Sequence, residues 1–346
     1  MAITNIESTT IDAVKYDNDN DNDAELILKC LKRYKVLTIE QVIDIFMDGQ
    51  SRSAYYIIDK LKGQGMIRAE RLPDDNRSKY IVLTKKGAEV INEDIKVHEY
   101  YVRKENVEEY IMVNEIHRIL YKAGLKDIKH RREALKELNL KHNETNMRWL
   151  FKSKGPYAIY TRKRGNKKFI EKSVKNAPIN KIKGHIIIYD NARYLREDRR
   201  DWLKHLPCPS LYMTTMVELP DLITVLQNPT AHLTEFTEKL ITFVSTGTLI
   251  QTKDAPLPYA WQKGKSRMLL CDLTTGDITG PALMLPYSEK QLKERGWGEG
   301  VIYYVEDKKI ARTWSRLLKH RECNYFITKK DIGLYGIKAG KLVQMA

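Results

Sequence analysis

Two histidine–cysteine pairs in this 346-residue chain have residue types and a spacing that could bind a metal. His205 and Cys208 are separated by two residues, and His320 and Cys323 repeat that spacing. Imidazole and thiolate are zinc ligands, so the two pairs could form one four-ligand site if the fold brought them together. A histidine that ends a helix, followed by a buried thiol, explains the same residues without a metal. We favour that second interpretation and expect no zinc.

Asp190, Glu306 and Lys308 are the second candidate set. Each acid directly follows an apolar run that predicts a strand, and α/β folds expose catalytic groups at the carboxyl ends of strands. A carboxylate that holds Mg²⁺ and a lysine that steadies the attacking water are parts of a metal-dependent nuclease. Asp272 or Asp277 could add a second acid, although the Thr-Thr-Gly-Asp run that ends at Asp277 predicts a hairpin turn. A Mg²⁺-dependent nuclease or nicking enzyme is therefore an alternative function.

The elements that would position these acids occur twice. A strand that begins at Gly184 or at Gly300 ends on an acid, and a helix then leads to a histidine, a cysteine and another strand. Upstream, Pro-Tyr-Ala occurs at 156–158 and again at 258–260. We predict a duplicated β-α-β unit, at about residues 156–216 and 258–330, within one basic α/β domain of residues 146–346. The domain is nuclease-like in outline, and we expect it to be catalytically degenerate.

The positive charge of the chain is concentrated in one stretch. The net charge is +15, of which residues 126–205 carry +14, residues 1–125 carry −3 and the remainder carries +4. Such a field attracts a polyanion, and each lysine or arginine set against a phosphate releases a counterion. The densest cluster, which follows Tyr157 and Tyr160, predicts phosphate contacts by Arg162, Lys163, Arg164, Lys167 and Lys168. The alternative is a basic hairpin loop whose tyrosines pack inward.

The first quarter of the chain has the pattern of a winged helix-turn-helix. Residues 1–23 are acidic and predict a disordered tail. Apolar periodicity then predicts three helices, at 24–34, 39–47 and 52–62, of which the second opens with a Thr38–Gln41 capping box and the third is capped by Ser51. Two strands joined by a polar turn at 73–78, and a helix capped by Thr84, complete the pattern. We predict this module over residues 24–95.

The third helix of this module has one apolar and one polar face. Its apolar residues, which we expect to face inward, are Ala54, Ile57, Ile58 and Leu61. A helix of this kind fits the major groove of DNA, and the hairpin reaches the neighbouring backbone. The predicted DNA contacts are Arg52, Ser53, Tyr55, Tyr56 and Lys60 of the helix, and Arg68, Arg71 and Arg77 of the hairpin. A winged helix used only for protein contacts is the alternative.

Residues 96–145 predict a helical bridge between the two domains. Asn106–Ala123 has the periodicity of a long amphipathic helix, and a shorter one follows at Arg131–Leu138. The long helix could extend the winged helix or pair with its copy in a homodimer. The predicted fold class is thus a multidomain α+β and α/β chain.

Three stretches of this pattern match a known family. They are LKRYKVLTIEQVIDIF at Leu31–Phe46, SAYYIIDKLKGQGMI at Ser53–Ile67 and YIVLTKKGAEV at Tyr80–Val90. Over about residues 24–125 the chain resembles the replication-relaxation family of plasmids and conjugative elements. The resemblance implies a winged helix followed by a nuclease-like domain, on a protein needed for plasmid replication or DNA relaxation. The second domain shows no Pro-Asp that is followed closely by an acidic, lysine-bearing strand, which is the pattern of that family, and this departure argues against nuclease activity.

Other classes of protein are disfavoured by composition. No apolar run approaches the ~18 residues of a membrane span, and no Walker-type phosphate loop occurs. Four widely spaced cysteines are typical of reduced thiols, so we expect a cytoplasmic protein without a membrane partner. We predict a sequence-specific binder of double-stranded DNA from a plasmid or other mobile element. It would act as a replication initiator or relaxosome accessory, alongside replication or conjugation proteins, rather than as a catalyst. A winged-helix transcriptional repressor is the remaining alternative.

Overall fold

The structure is a computed structural model that describes residues 20–72, 79–91, 96–142, 144–178, 181–206, 208, 210–244, 247–319, 321–330 and 333–345. In this part of the chain the protein is mixed α/β with three sheets, and it divides into two compact units between Ile128 and Lys129. The predicted disordered tail is wrong at its end, because residues 20–23 are helical, and residues 1–19 lie outside the description.

The first unit consists of helices around a small antiparallel sheet. Its elements are α1 (Asn20–Tyr34), β1 (Val36–Thr38), α2 (Ile39–Phe46), α3 (Ser51–Gly63), β2 (Ile67–Arg71), β3 (Lys79–Leu83), α4 (Lys85–Ile91), α5 (Val97–Tyr100), a 3-10 turn (Lys104–Asn106) and α6 (Val107–Lys122). The strand order is β1-β3-β2, with Val36 opposite Val82 and Ile67 opposite Leu83. The predicted helices and strands are therefore present in the predicted order.

Side chains fix the start of α2 but not the start of α3. The predicted capping box is confirmed: Gln41 N donates to Thr38 Oγ1 at 3.2 Å, and Thr38 N donates to Gln41 Oε1 at 3.0 Å. The predicted cap at Ser51 is wrong, because α3 already includes Ser51 and the preceding Gln50 makes no side-chain cap. Without a capping side chain, the start of α3 depends on packing against α1 and α2.

Gly87 allows α4 to pack closely against the base of the β2–β3 hairpin. A Cβ at Gly87 would lie 2.1 Å from the carbonyl oxygen of Met66, so only glycine permits this approach. Thr84 Oγ1 lies 2.9 Å from the same carbonyl oxygen and accepts from Gly87 N at 3.1 Å. The predicted threonine cap is thus confirmed, and it ties the hairpin to the helices.

Helix α6 packs inside the first unit. Asn114 is buried, and its side-chain amide donates to the backbone oxygens of Tyr34 at 3.2 Å and Val36 at 2.5 Å. Gln41 Nε2 donates to Ile111 O at 3.1 Å, which joins α2 to α6. The apolar face of the predicted bridge therefore extends the first unit, whereas its second helix belongs to the other unit. A homodimer stays a prediction.

The second unit contains two sheets. The first has the order β4-β5-β6-β7-β8 and the second has the order β15-β14-β13-β12-β11-β10-β9. The elements around the five-stranded sheet are β4 (Ile128–His130), α7 (Arg131–Leu138), β5 (Trp149–Lys152), β6 (Pro156–Arg162), α8 (Lys167–Asn176), β7 (Gly184–Tyr189), α9 (Ala192–Lys204), β8 (Leu211–Thr215) and α10 (Leu219–Gln227). Those of the seven-stranded sheet are α11 (Pro229–Val244), β9 (Thr248–Gln251), β10 (Tyr259–Lys263), β11 (Ser266–Asp272), α12 (Thr279–Met284), α13 (Glu289–Glu294), β12 (Gly300–Val305), α14 (Lys308–Leu317), β13 (Asn324–Thr328), β14 (Gly333–Lys338) and β15 (Lys341–Gln344).

The predicted β-α-β repeat is present in both sheets. Strands β6, β7 and β8 run parallel, as do β11, β12 and β13. Each crossover contains one helix, except that from β11 to β12, which contains α12 and α13. The two Pro-Tyr-Ala sequences, however, lie at strands that do not correspond in the two repeats. Pro156 opens β6, which is parallel to β7, whereas Tyr259 opens β10, the antiparallel partner of β11. The strand that corresponds to β6 is β11.

The segment after β11 joins the edge of the five-stranded sheet. Met213 N donates to Gly276 O at 2.9 Å, and Ile278 N donates to Leu211 O at 3.1 Å. Gly276 has a φ of +71°, and a Cβ there would meet Met213 O at 2.3 Å. The predicted hairpin at this turn is wrong, because the chain enters α12 instead of a returning strand. One hydrophobic core, which includes Tyr189 and Trp314, runs across both repeats.

Candidate nucleic-acid interface

Helix α3 buries one face and exposes aromatic rings on the other. Its buried residues recur every three or four positions and are Ala54, Ile57, Ile58 and Leu61, as predicted. On the opposite face Tyr55 is 50% exposed and Tyr56 is 62% exposed. Two large aromatic side chains exposed at adjacent positions make this face of α3 a candidate contact surface.

The predicted DNA contacts of α3 lie on its solvent side. Arg52 is exposed, like the two tyrosines, whereas Ser53 and Lys60 are half-buried at the edges of the same face. A helix with its side chains is roughly 10–12 Å across, and the major groove of B-DNA is about 12 Å wide. Arg52 and the tyrosines can therefore reach base edges if α3 enters a groove.

The hairpin places two of its three predicted contacts on the surface. The Arg68 side chain is 65% exposed, and its Nε pairs with Glu70 at 2.5 Å. Tyr80 OH donates to the other oxygen of Glu70 at 2.6 Å, which fixes that carboxylate beside the arginine. Arg71 is exposed, and Arg77 and the rest of the predicted turn, 73–78, lie outside the described residues.

The basic cluster at the end of β6 is not uniformly free for phosphate. Arg162 is 5% exposed, and its Nε lies 2.6 Å from Asp198 Oδ2. Lys167 Nζ lies 3.1 Å from Asp198 Oδ1 and 2.5 Å from Asp201. The prediction for Arg162 as a surface phosphate contact is therefore wrong, because a buried ion pair occupies its guanidinium, and Lys167 is held by two carboxylates.

The remaining cations of that cluster lie nearer the solvent. Arg164 and Lys168 are exposed and Lys163 is half-buried, on a turn shaped by Asn166. Asn166 Oδ1 accepts from Lys163 N at 3.0 Å, and its Nδ2 donates to Thr161 O at 3.0 Å. Phosphate contact by these three cations stays a prediction.

Tyr157 and Tyr160 belong to the core. They are 3% and 0% exposed, and the Tyr157 ring stacks on Phe151 with centroids 5.4 Å apart. Tyr160 OH lies 3.3 Å from Nδ1 of His185, whose pKa burial lowers to about 4. The rings are therefore unavailable for base stacking and pack inward, as the alternative had it. The hairpin loop of that alternative is wrong, because the chain runs from β6 into α8.

The residues of the nuclease alternative are divided between the two sheets. Asp190 follows β7 in the five-stranded sheet, and Glu306 follows β12 in the seven-stranded sheet. Glu306 pairs with Lys330 at 2.9 Å, and Lys308 Nζ lies 5.3 Å from the centroid of the Tyr335 ring. The two acids therefore do not share one sheet edge, as the ends of neighbouring parallel strands would.

A titratable cluster that we did not predict lies at the end of β11. His232, in the first turn of α11, places its Nε2 2.6 Å from Asp272 Oδ2. The other oxygen of Asp272 accepts from the backbone N and hydroxyl of Thr274, at 2.9 and 2.7 Å. Glu235 follows on α11 and accepts from Tyr304 OH at 3.0 Å. The His–x–x–Glu spacing on one helix face is visible in the sequence, but its pairing with a strand end is not.

This cluster makes the stability of the second unit depend on pH. The hydrogen bond from His232 to Asp272 raises the pKa of the imidazole above its ordinary 6.5. A raised folded-state pKa stabilises the protein fully below the unfolded value, and this stabilisation is lost as pH rises through the folded value. We expect wild type to exceed His232→Gln in free energy of unfolding at pH 5–6, and the difference to shrink above about pH 6.5.

Urea unfolding at a series of pH values measures this difference. The control is His142→Gln, which replaces an exposed histidine without an ion pair among the described residues. A His232→Gln difference that stays constant from pH 5 to about 9 would show that His232 carries no stabilising charge.

The cysteines of the two His-x-x-Cys pairs are buried thiols. Burial raises the pKa of Cys208 to about 12, and the Cys323 pKa is also raised by burial. Cys208 Sγ lies 3.4 Å from Ser210 O, and His320 lies outside the described residues. Within the described ranges, no group of three or more His, Cys, Asp or Glu side chains is arranged to hold a metal ion.

None of the helices described is both long enough and apolar enough to span a membrane. Comparison of the chain with protein-family models, curated proteins and solved structures finds no match.

Proposed function

We propose that this chain binds double-stranded DNA in a sequence-specific manner through a winged helix in its first unit. The observation that carries the proposal is the solvent face of α3, where Arg52, Tyr55 and Tyr56 stand exposed on a helix fixed by its buried face. The element order of this unit and its β1-β3-β2 sheet support the winged-helix assignment. In this arrangement α3 reads base edges and the β2–β3 hairpin contacts the adjacent backbone.

Polar contacts around α2, on which α3 packs, support a base-reading role for α3. Arg118 of α6 lies 2.6 Å from Asp44 of α2 and also pairs with Glu115. Together with the Asn114 and Gln41 hydrogen bonds, these contacts hold α2 and α6 in a fixed relation. Because α3 packs on α2, these contacts steady the support of the reading helix. Precise base contacts need such support, since small displacements break bidentate hydrogen bonds.

We propose further that the protein serves a plasmid or other mobile element, as a replication initiator or relaxosome accessory. The resemblance to the replication-relaxation family and the +15 net charge support this role. The protein then acts by occupying its site and recruiting replication or conjugation proteins.

Footprinting along the DNA of the element that carries the gene tests this role. We expect protection within a replication or transfer origin, at a concentration that leaves random sequence unprotected. Protection confined to the promoter of the gene itself would replace the proposal with a transcriptional repressor. Uniform protection, or none at low salt, would contradict sequence-specific binding.

A further inference from the structure

Helices α8 and α9 lie side by side and carry much of the basic excess of the chain. Trp202 Nε1 of α9 donates to Glu171 Oε1 of α8 at 2.7 Å, and Lys167 bonds Asp201 at 2.5 Å. Their apolar residues enter the core shared with β6 and β7. The opposite sides of both helices therefore face solvent together.

Every carboxylate of these two helices is engaged within the unit. Asp198 binds Arg162 and Lys167, Asp201 binds Lys167, and Glu171 accepts from Trp202. Glu197 pairs with Arg193 at 2.8 Å. The two helices carry nine lysines and arginines against these four acids, a net charge of +5.

Six cations without an ion-pair partner among the described residues form two rows, which we call the α8–α9 face. They are all exposed and are Lys168, Lys172 and Lys175 of α8, and Arg196, Arg200 and Lys204 of α9. The spacings are i, i+4, i+7 and i, i+4, i+8, so each row follows one side of its helix. At 1.5 Å per residue the rows are about 10 and 12 Å long.

We propose that the α8–α9 face is a second nucleic-acid surface, which binds the phosphate backbone of duplex DNA irrespective of sequence. Neighbouring helices pack roughly 8–10 Å apart, so the two rows have a separation comparable with the width of a DNA groove between its phosphate walls. Cations on long, flexible side chains suit phosphates as point charges and carry no sequence information. The choice of duplex DNA as the partner rests on the proposed function.

The composition of the face disfavours other polyanions. Single-stranded nucleic acid needs a series of aromatic platforms for successive bases, but of the described rings of these two helices Trp202 is buried, Tyr194 is half-buried and Phe169 alone is exposed. Membrane surfaces need apolar side chains that insert, and of the described residues of these helices Phe169, 39% exposed, is the one large apolar side chain in solvent.

The salt dependence of binding to random-sequence duplex tests the face. The full chain carrying Lys172→Ala, Lys175→Ala, Arg200→Ala and Lys204→Ala is compared with wild type from about 50 to 200 mM salt by fluorescence anisotropy. Each lost phosphate contact lowers the log–log salt slope by about 0.9, so we expect the slope to fall by about 3 to 4, and affinity at low salt to fall on the order of tenfold or more. The ratio of target-site to random-sequence affinity should not change.

A matched variant controls for net charge. Lys265→Ala, Lys309→Ala, Lys338→Ala and Lys341→Ala remove four exposed lysines from the part of the chain that forms the seven-stranded sheet. We expect a much smaller change in slope from this variant. Equal changes in the two variants would overturn the α8–α9 face.

Acetylation of lysines in the wild-type chain provides a test that needs no variant. Bound random duplex should slow modification of Lys172 and Lys175 but not of Lys338 and Lys341. No protection by duplex, or protection only by phosphatidylserine vesicles, would overturn the proposal. If duplex protects these lysines but the protein prefers no sequence, the proposed function of α3 is contradicted and the α8–α9 face is supported. If the protein prefers a sequence but duplex does not protect the lysines, the α8–α9 face is contradicted and the function of α3 is supported.

Discussion

Replacement of Arg52 and Tyr56 by alanine is expected to lower the preference for the target site over random duplex by about 10- to 100-fold. Both side chains stand on the exposed face of α3, where an arginine can bond a guanine edge and a tyrosine can contact bases or backbone. A good base contact discriminates by about 1–3 kcal/mol, and 1.4 kcal/mol is a factor of ten. Competition binding at fixed salt measures the ratio.

The control for this variant comes from the same unit. Tyr101 and Arg103 are an exposed tyrosine and arginine outside α3, and Tyr101→Ala with Arg103→Ala removes the same side-chain types. We expect this control to keep the preference of wild type. Loss of the preference to the same extent in both variants would show that α3 does not read the sequence.

The second large effect concerns stability. Asp198→Ala is expected to lower the free energy of unfolding of the second unit by about 3–5 kcal/mol, because it leaves the Arg162 guanidinium buried without a counter-charge. Asp201 is 57% exposed, and Asp201→Ala should cost at most about 1 kcal/mol, although it also removes a partner of Lys167. The two aspartates thus form a matched pair that differs in burial.

Tryptophan fluorescence during urea unfolding isolates this unit. All five tryptophans, which are Trp149, Trp202, Trp261, Trp297 and Trp314, lie after residue 128. Joint replacement of both partners, Arg162→Met with Asp198→Leu, should recover much of the loss because no buried charge remains. Equal stability of Asp198→Ala and Asp201→Ala would contradict a structural role for the buried pair.

The architecture of the first unit could be predicted because its signals are local. The Thr38–Gln41 box and the apolar spacing of α3 involve residues within one or two turns. The error at Ser51 has the same origin, since serine before a helical pattern resembles a cap whether or not its hydroxyl is used. Gly87 is different, because the carbonyl of Met66 that demands it comes from another element.

The ion pairs of the second unit could not be predicted from the sequence. Arg162 and Arg164 are two residues apart in one basic run, yet Arg162 is buried and Arg164 is exposed. The difference is set by Asp198, which arrives from α9 through the parallel crossover. The pairing of His232 with Asp272 likewise depends on how α11 crosses the seven-stranded sheet. Ion pairs between distant elements require the tertiary structure, not the local pattern.

The two Pro-Tyr-Ala sequences suggested a wrong correspondence between strands, for a related reason. Three matching residues do not specify which strands each copy pairs with, and these partners decide the place of a strand in its sheet. In one repeat the motif opens the parallel strand β6, and in the other it opens the antiparallel strand β10.

Cleavage of DNA from a reagent tethered on α3 tests the groove-reading role most directly. The four native cysteines are buried, and burial raises the pKa of Cys30 and Cys208 to about 12, so a new surface thiol can be labelled selectively. Asp59→Cys, one turn beyond Tyr56 on the exposed face, would carry an iron chelate, and Tyr101→Cys would carry the same chelate outside α3. We predict cuts from position 59 at a single major-groove position within the selected site, and none centred there from position 101. Indistinguishable, diffuse cleavage from both positions would contradict the placement of α3 in the groove.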